Sequence, residues 1–121
     1  MLVKRAAEAV VRDRLALYPA VSLVGPRQAG KTTLARTLSD VYFDLEQGSD
    51  RLRLELQWDA LLPQERLVVL DEAQAFPEIF PRLRAAIDAD RQRTGRFLLL
   101  GSVSPSLMRT VSESLAGRLA I

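Results

Sequence analysis

The chain has 121 residues, 48% hydrophobic and 26% charged, which suits one globular domain. It contains no Cys and no His, so disulfides, thiolate nucleophiles, zinc sites of the usual kind and Ser-His-Asp triads are excluded within it. Its net charge of +2 is too small to argue for nucleic acid.

No apolar run approaches the roughly 18 residues of a membrane span. The start, Met1-Leu2-Val3-Lys4-Arg5, lacks a signal-peptide core. A cytoplasmic protein is therefore the expectation. Any metal must sit on oxygen ligands, which points to Mg²⁺.

Residues 2–17 are expected to be a helix, because Val3, Ala7, Val10, Val11 and Leu15 recur at spacings of three and four. Lys4, Arg5, Glu8, Arg12 and Asp13 fall between them. A basic helix can touch nucleic acid, but a solvated face is the plainer reading. Pro19 ends the connection, and Ala20 to Val24 is a short apolar run suited to a buried strand.

Gly25-Pro26-Arg27-Gln28-Ala29-Gly30-Lys31-Thr32 follows, reading G-x-x-x-x-G-K-T, the phosphate-binding loop pattern. Gly25 and Gly30 permit backbone angles and close approaches denied to other residues. The loop N–H groups can then converge on phosphate oxygens. Lys31 would set a cation by the β- and γ-phosphates, and the Thr32 hydroxyl would take one Mg²⁺ position. The helix from about Gly30 to Leu38, with Thr33 in its first turn, would add its positive end. The pattern needs a strand before it and a helix after it, and both flanks fit. The chain holds fifteen Arg but two Lys, so a Lys at this position is informative.

Val41 to Leu45 reads as a second strand and Gln47 to Asp50 as a turn, with Ser49 or Asp50 a plausible helix cap. Residues 51–57 suit a short helix, but Leu52, Leu54 and Leu56 leave its register ambiguous with a strand or loop. Leu67-Val68-Val69-Leu70-Asp71-Glu72 is an apolar run suited to a strand buried on both faces, ending in two carboxylates. Ligands of open α/β sheets bind outside the carboxyl ends of strands, so Asp71 and Glu72 fall on the side of the phosphate loop. Alone, two acids at a strand end are often only solvated; the upstream loop is what gives them weight.

Ala73 to Pro77 is expected to be a loop. Pro77 and Pro81 fit the first turns of a helix, whose apolar stripe runs through Ile79, Phe80, Leu83, Ala86 and Ile87 and which Gly95 would stop. Arg96 to Leu100 is a further buried strand ending at Gly101-Ser102. Ser104-Pro105 would open a last helix, with Leu107, Val111 and Leu115 on one face and Gly117 as its stop. Arg118 to Ile121 looks like a strand beginning. The alternation of strands and helices predicts a parallel sheet with crossover helices.

The stretches GPRQAGKTTL, YFDLE, LVVLDEAQ, GRFLLLGS and SESLAGR resemble the N-terminal core of a bacterial and archaeal family of AAA-type P-loop ATPases. The resemblance covers nearly the whole chain. The Walker A loop at 25–32 and the Walker B strand at 67–72 carry it most strongly. DEAQ and SESLAGR narrow it from P-loop proteins at large. It implies an α/β, three-layer P-loop NTPase fold, with helices on both faces of a parallel sheet ordered 5-1-4-3-2. It also implies one core domain over residues 1–121, incomplete at its C-terminus. Family members are much longer, so strand five is expected to be truncated here, which would leave the strand before the phosphate loop with an open edge, an aggregation hazard.

The resemblance further implies ATP and Mg²⁺ as cofactors. Gly25, Pro26, Arg27, Gln28, Ala29, Gly30, Lys31, Thr32 and Thr33 would hold the phosphates. Thr32 and Asp71 would hold the metal, Asp71 through water, and Glu72 would activate the attacking water. Ser102 stands where related ATPases carry a polar sensor of the γ-phosphate, often Asn. Arg118 looks like the family's terminal Arg, acting in cis or across a homo-oligomer; a surface salt bridge is the alternative. A GTPase is disfavoured because the chain has no Asn for an N-K-x-D signature. A small-molecule kinase is disfavoured because the acid after Asp71 suits water activation. The rival from another class is a nucleotide-binding switch or interaction module, or an inert remnant, with little hydrolysis. The net charge of +2 gives no support to a nucleic-acid or protein substrate.

Overall fold

The computed structural model describes the backbone of residues 2–25, 30–102 and 119–120, and the side chains of residues 6–25 and 30–101. Its elements in chain order are α1 (Leu2–Leu17), β1 (Ala20–Gly25), α2 (Lys31–Leu38), β2 (Tyr42–Asp44), α3 (Gly48–Leu61), β3 (Val68–Asp71), α4 (Ile79–Ala89), β4 (Phe97–Ser102) and β5 (Leu119–Ala120). The last helix expected, from Ser104 to Gly117, lies outside the described residues.

All strand pairs are parallel, in the order β2-β3-β4-β1-β5. This is the order the resemblance implies. Successive strand residues point to opposite faces, and the apolar runs exploit both. Val68, Leu70, Phe97 and Leu99 pack on one face with Leu54 and Leu61 of α3 and with Ile79, Phe80, Leu83 and Ile87 of α4. Val69, Leu98 and Leu100 pack on the other with Val11 and Leu15 of α1 and with Leu34 and Ala35 of α2. Three layers result, with the sheet in the middle.

Five expectations change. In α1 the buried residues among those described are Val11 and Leu15, while Val10 faces solvent; Arg12 pairs with Glu8 at 3.0 Å, so these two charges lie on a solvated face. The ambiguous stretch at 51–57 is the middle of α3, a helix of 14 residues. Its period-two leucines mislead because only Leu54 is buried; Leu52 and Leu56 stand 57% and 78% exposed. Leu54, Trp58 and Leu61 form the true stripe, and Trp58 stacks on Phe97 with ring centroids 6.0 Å apart. The N-cap of α3 is Gln47, without a side-chain cap bond. Asp50 instead accepts from the Asp44 N–H at 2.8 Å, and Arg53 donates to the Tyr42 carbonyl at 2.8 Å. Helix α3 thus occupies the outer backbone edge of β2, where an unpaired strand would invite association.

Helix α4 ends at Ala89, with Asp90 as its C-cap, before Gly95 is reached. Gly95 (φ 65°) shapes the turn into β4 and donates its N–H to the Tyr18 carbonyl at 3.0 Å. Just after it, Arg96 is buried and donates to the Ala86 carbonyl at 2.8 Å, tying the start of β4 to α4. Burial, and then the neighbouring Arg93 charge, lower its pKa from the usual guanidinium range. The open edge expected on β1 is closed at its first two residues, where Ala20 pairs with Leu119 and Val21 with Ala120.

Candidate functional site

Parallel register brings the carboxyl ends of four strands to one rim. Asp44 lies beside Asp71, Asp71 beside Leu100, and Gly25 beside Ser102. Each crossover returns the chain to the opposite rim, so the residues following the strands collect here.

Of the two loop glycines, Gly30 takes the left-handed conformation, at φ 80° and ψ 16°, and caps α2. Its carbonyl accepts the Leu34 N–H at 3.0 Å, which starts the helix. A Cβ built on Gly30 meets no described atom within 4 Å, so the space in front of it is open. Gly25 does not use that freedom; it continues β1 in register with Ser102. Pro26, Arg27, Gln28 and Ala29 lie outside the described residues.

Lys31 opens α2 and is only 6% exposed. Its Nζ donates to the carbonyls of Gly25 at 2.6 Å and Gly101 at 2.5 Å. The ammonium is thereby held between the ends of β1 and β4. A buried cation needs such partners. Two carbonyls take two of its three N–H groups, and among the described residues no further acceptor is seen for the third.

Thr32 follows on α2, and its Oγ1 donates to Oδ2 of Asp71 at 2.9 Å across 39 positions of sequence. Asp71 ends β3, 7% exposed. The same Oδ2 accepts a second hydrogen bond, from the Tyr42 hydroxyl on β2. Burial first, then the Asp71 bond and charge, raise the Tyr42 pKa above the usual phenol range, while the adjacent Thr32 hydroxyl works against them. Tyr42 is therefore a donor at any ordinary pH.

Glu72, 8% exposed, lies just past β3. It is the one non-glycine with positive φ among the described residues, at φ 51° and ψ 51°. Such a backbone costs about 1–2 kcal/mol for an L-residue, a strain that persists only where the surrounding structure holds it. It starts a single 3-10 turn at Ala73–Ala75, where a plain loop was expected. That turn brings Gln74 back on Glu72, and its Nε2 donates to Oε2 of the carboxylate. The Gln74 Oε1 is buried with no protein partner among the described atoms.

Thr32 and Asp71 are thus joined directly, Lys31 stands between the ends of β1 and β4, and Glu72 follows Asp71 just past β3. Thr33 is exposed in the first turn of α2. The backbone of Ser102 is at the rim beside Gly25, while its side chain and the whole of Arg118 lie outside the described residues. Tyr42, Gln74 and the Gly101 carbonyl were missed, although YFDLE, DEAQ and LLLGS contain them. Their signal was position alone: one precedes an edge-strand acid, one follows the strand-end acids, and one closes a strand.

A fixed ammonium, a left-handed glycine at a helix start, a hydroxyl-carboxylate pair and a second buried acid stand on one rim of a three-layer sheet. Fold and rim define a P-loop domain of the nucleotide-binding, ATPase type. The profile of the AAA domain family matches residues 17–121, and the chain belongs to that family. It is 45% identical over 127 aligned residues to uncharacterized proteins of Mycobacterium bovis (Mb2031c) and Mycobacterium tuberculosis (Rv2008c). The alignment takes in 100% of this chain and 28% of each of theirs, so the chain spans just over a quarter of those relatives. Among solved structures, the DnaC helicase loader is similar in fold, with a TM-score of 0.54 and 18% identity over 94% of this chain and 78% of that one. No helix among the described residues is long and apolar enough to cross a membrane.

Proposed function

We propose that the domain binds Mg·ATP at this rim and hydrolyses it. The observation that carries the reading is the Thr32–Asp71 hydrogen bond. It joins the first turn of the loop helix to the end of β3, two strands from β1 in the sheet, and so unites two motifs far apart in sequence. In this reading the backbone N–H groups within residues 26–32, Pro26 having none, and the third N–H of Lys31 hold the phosphates. Ser102 senses the γ-phosphate, and Arg118 acts on it in cis or from a second copy.

The donor set fits Mg²⁺. No cluster of three or more Asp or Glu gathers among the described residues, so this is not an all-protein cage. Mg²⁺ typically takes one or two protein oxygens, several waters and substrate phosphates, and Thr32 with Asp71 supply that share. The ion would neutralise charge on the phosphates. This chain's own part is to hold the ligand, to orient it through Lys31 and Thr32, and to accept a proton from water at the Glu72 carboxylate.

Gln74 favours a second reading, a switch in which the Glu72 carboxylate is held back and turnover is slow. Glu72→Gln separates the two. Phosphate release by wild type, with Glu72→Gln losing at least about 100-fold while nucleotide affinity stays within twofold of wild type, supports hydrolysis. Equal release by both variants removes Glu72 as the base.

A further inference from the structure

Tyr42 is the first residue of β2, on the far side of β3 from the loop strand. Its hydroxyl nevertheless reaches Asp71 and shares Oδ2 with Thr32. Its ring is held too. The Arg36 guanidinium sits 4.7 Å from the ring centroid, and Arg36 lies one helical turn after Thr32 on α2. The Tyr42 carbonyl is taken by Arg53 of α3. Main chain, ring and hydroxyl are therefore each fixed by a different element.

A carboxylate has two equivalent oxygens and a broad torsion about its last bond. One donor on one oxygen leaves that torsion loose. Two donors on Oδ2, from α2 and from β2, hold one oxygen from two directions and so set the plane of the group. Groups one shell out from a metal act this way on the ligands they touch.

We propose that Tyr42 is a positioning residue for the Asp71 carboxylate, orienting it for a divalent cation brought with the nucleotide. The proposal rests on the Mg·ATP reading. It gives Tyr42 no contact with nucleotide or metal; it acts through Asp71. Phe at this position keeps the ring under Arg36 and removes only the donor.

The test is magnesium linkage, measured by binding. A fluorescent ATP analogue is titrated into wild type and Tyr42→Phe, in EDTA and across a range of Mg²⁺. The expected result is equal affinity in EDTA and a magnesium-induced tightening weaker by about tenfold in Tyr42→Phe. Arg36→Leu keeps the hydroxyl but frees the ring, and is expected to lose a smaller part of the same linkage. It also serves if Tyr42→Phe fails to fold, as judged by circular dichroism. A lowered melting temperature with wild-type magnesium dependence would make the hydroxyl merely structural and overturn the proposal, leaving the ATPase reading intact. Nucleotide binding by wild type without any magnesium dependence would overturn both.

Discussion

Gly30 and Gly95 are both left-handed, at φ 80° and 65°, and their alanine variants separate two reasons for a glycine. An L-residue in that region costs about 1–2 kcal/mol, offset by about 0.4–1 kcal/mol from stiffening the unfolded chain. Backbone alone therefore predicts a loss of about 1 kcal/mol at each. Surroundings then divide them. A Cβ on Gly95 would stand 3.2 Å from the Leu15 carbonyl oxygen, a backbone atom at the end of α1, whereas a Cβ on Gly30 meets no described atom within 4 Å. Gly95→Ala must also shift that carbonyl, for a total of about 2–3 kcal/mol. Unfolding entropy of about 2.1 cal/mol/K per residue gives roughly 0.25 kcal/mol/K for 121 residues. Each kcal/mol then moves Tm by about 4 °C.

The expected shifts, by thermal circular dichroism, are about 4 °C down for Gly30→Ala and about 8–12 °C down for Gly95→Ala. Nucleotide affinity should reverse the order. A methyl on Gly30 enters the space proposed for phosphate, so Gly30→Ala should lose at least roughly tenfold, or 1.4 kcal/mol. Gly95→Ala, measured well below its Tm, should bind as wild type. Wild-type affinity in Gly30→Ala would refute the view that the open space serves a ligand. Equal stability of the two variants would refute the contact argument.

Two further outcomes follow from buried polar groups. Arg96→Leu leaves the Ala86 carbonyl without its buried donor and should cost about 2 kcal/mol, read as a lower urea midpoint with unchanged slope and unchanged nucleotide affinity. Gln74→Leu removes one hydrogen bond to Glu72 together with an orphaned buried oxygen. Those effects oppose each other, so stability should stay within about 1 kcal/mol. If Gln74 orients Glu72, kcat should fall roughly tenfold or more, since misplacing a reacting group by 1 Å costs up to about 100-fold; a rise in kcat would instead support the held-back switch.

What could be read from the chain was what local chemistry imposes. The runs at 67–70 and 97–100 are apolar at every position because both sheet faces are covered, and no solvated edge interrupts them. The loop's Gly30 and Lys31 are fixed by the needs of backbone angle and charge, so their pattern is short and local. Strand order came with the resemblance, since no spacing in the chain encodes it. Helix α3 was obscured because it packs a single narrow stripe while Leu52 and Leu56 remain exposed, so its apolar residues alternate as in a strand. Gly95 was misplaced because a left-handed glycine serves a helix end and a strand-entry turn alike. Tyr42 and Gln74 were invisible for another reason. The Tyr42 hydroxyl meets Asp71 through the tertiary fold and Gln74 meets Glu72 through a local turn, and a tyrosine or glutamine carries no sign of where its polar end goes.

The central claim is that Lys31 and the rim around it form a nucleotide site. The most direct measurement is a titration of the purified chain with a fluorescent ATP analogue, with and without Mg²⁺, beside Lys31→Ala. Saturable binding that Mg²⁺ tightens, and that Lys31→Ala loses while remaining folded by circular dichroism, is the predicted result. A folded wild-type chain that does not bind, or a Lys31→Ala variant that binds equally well, would contradict the account.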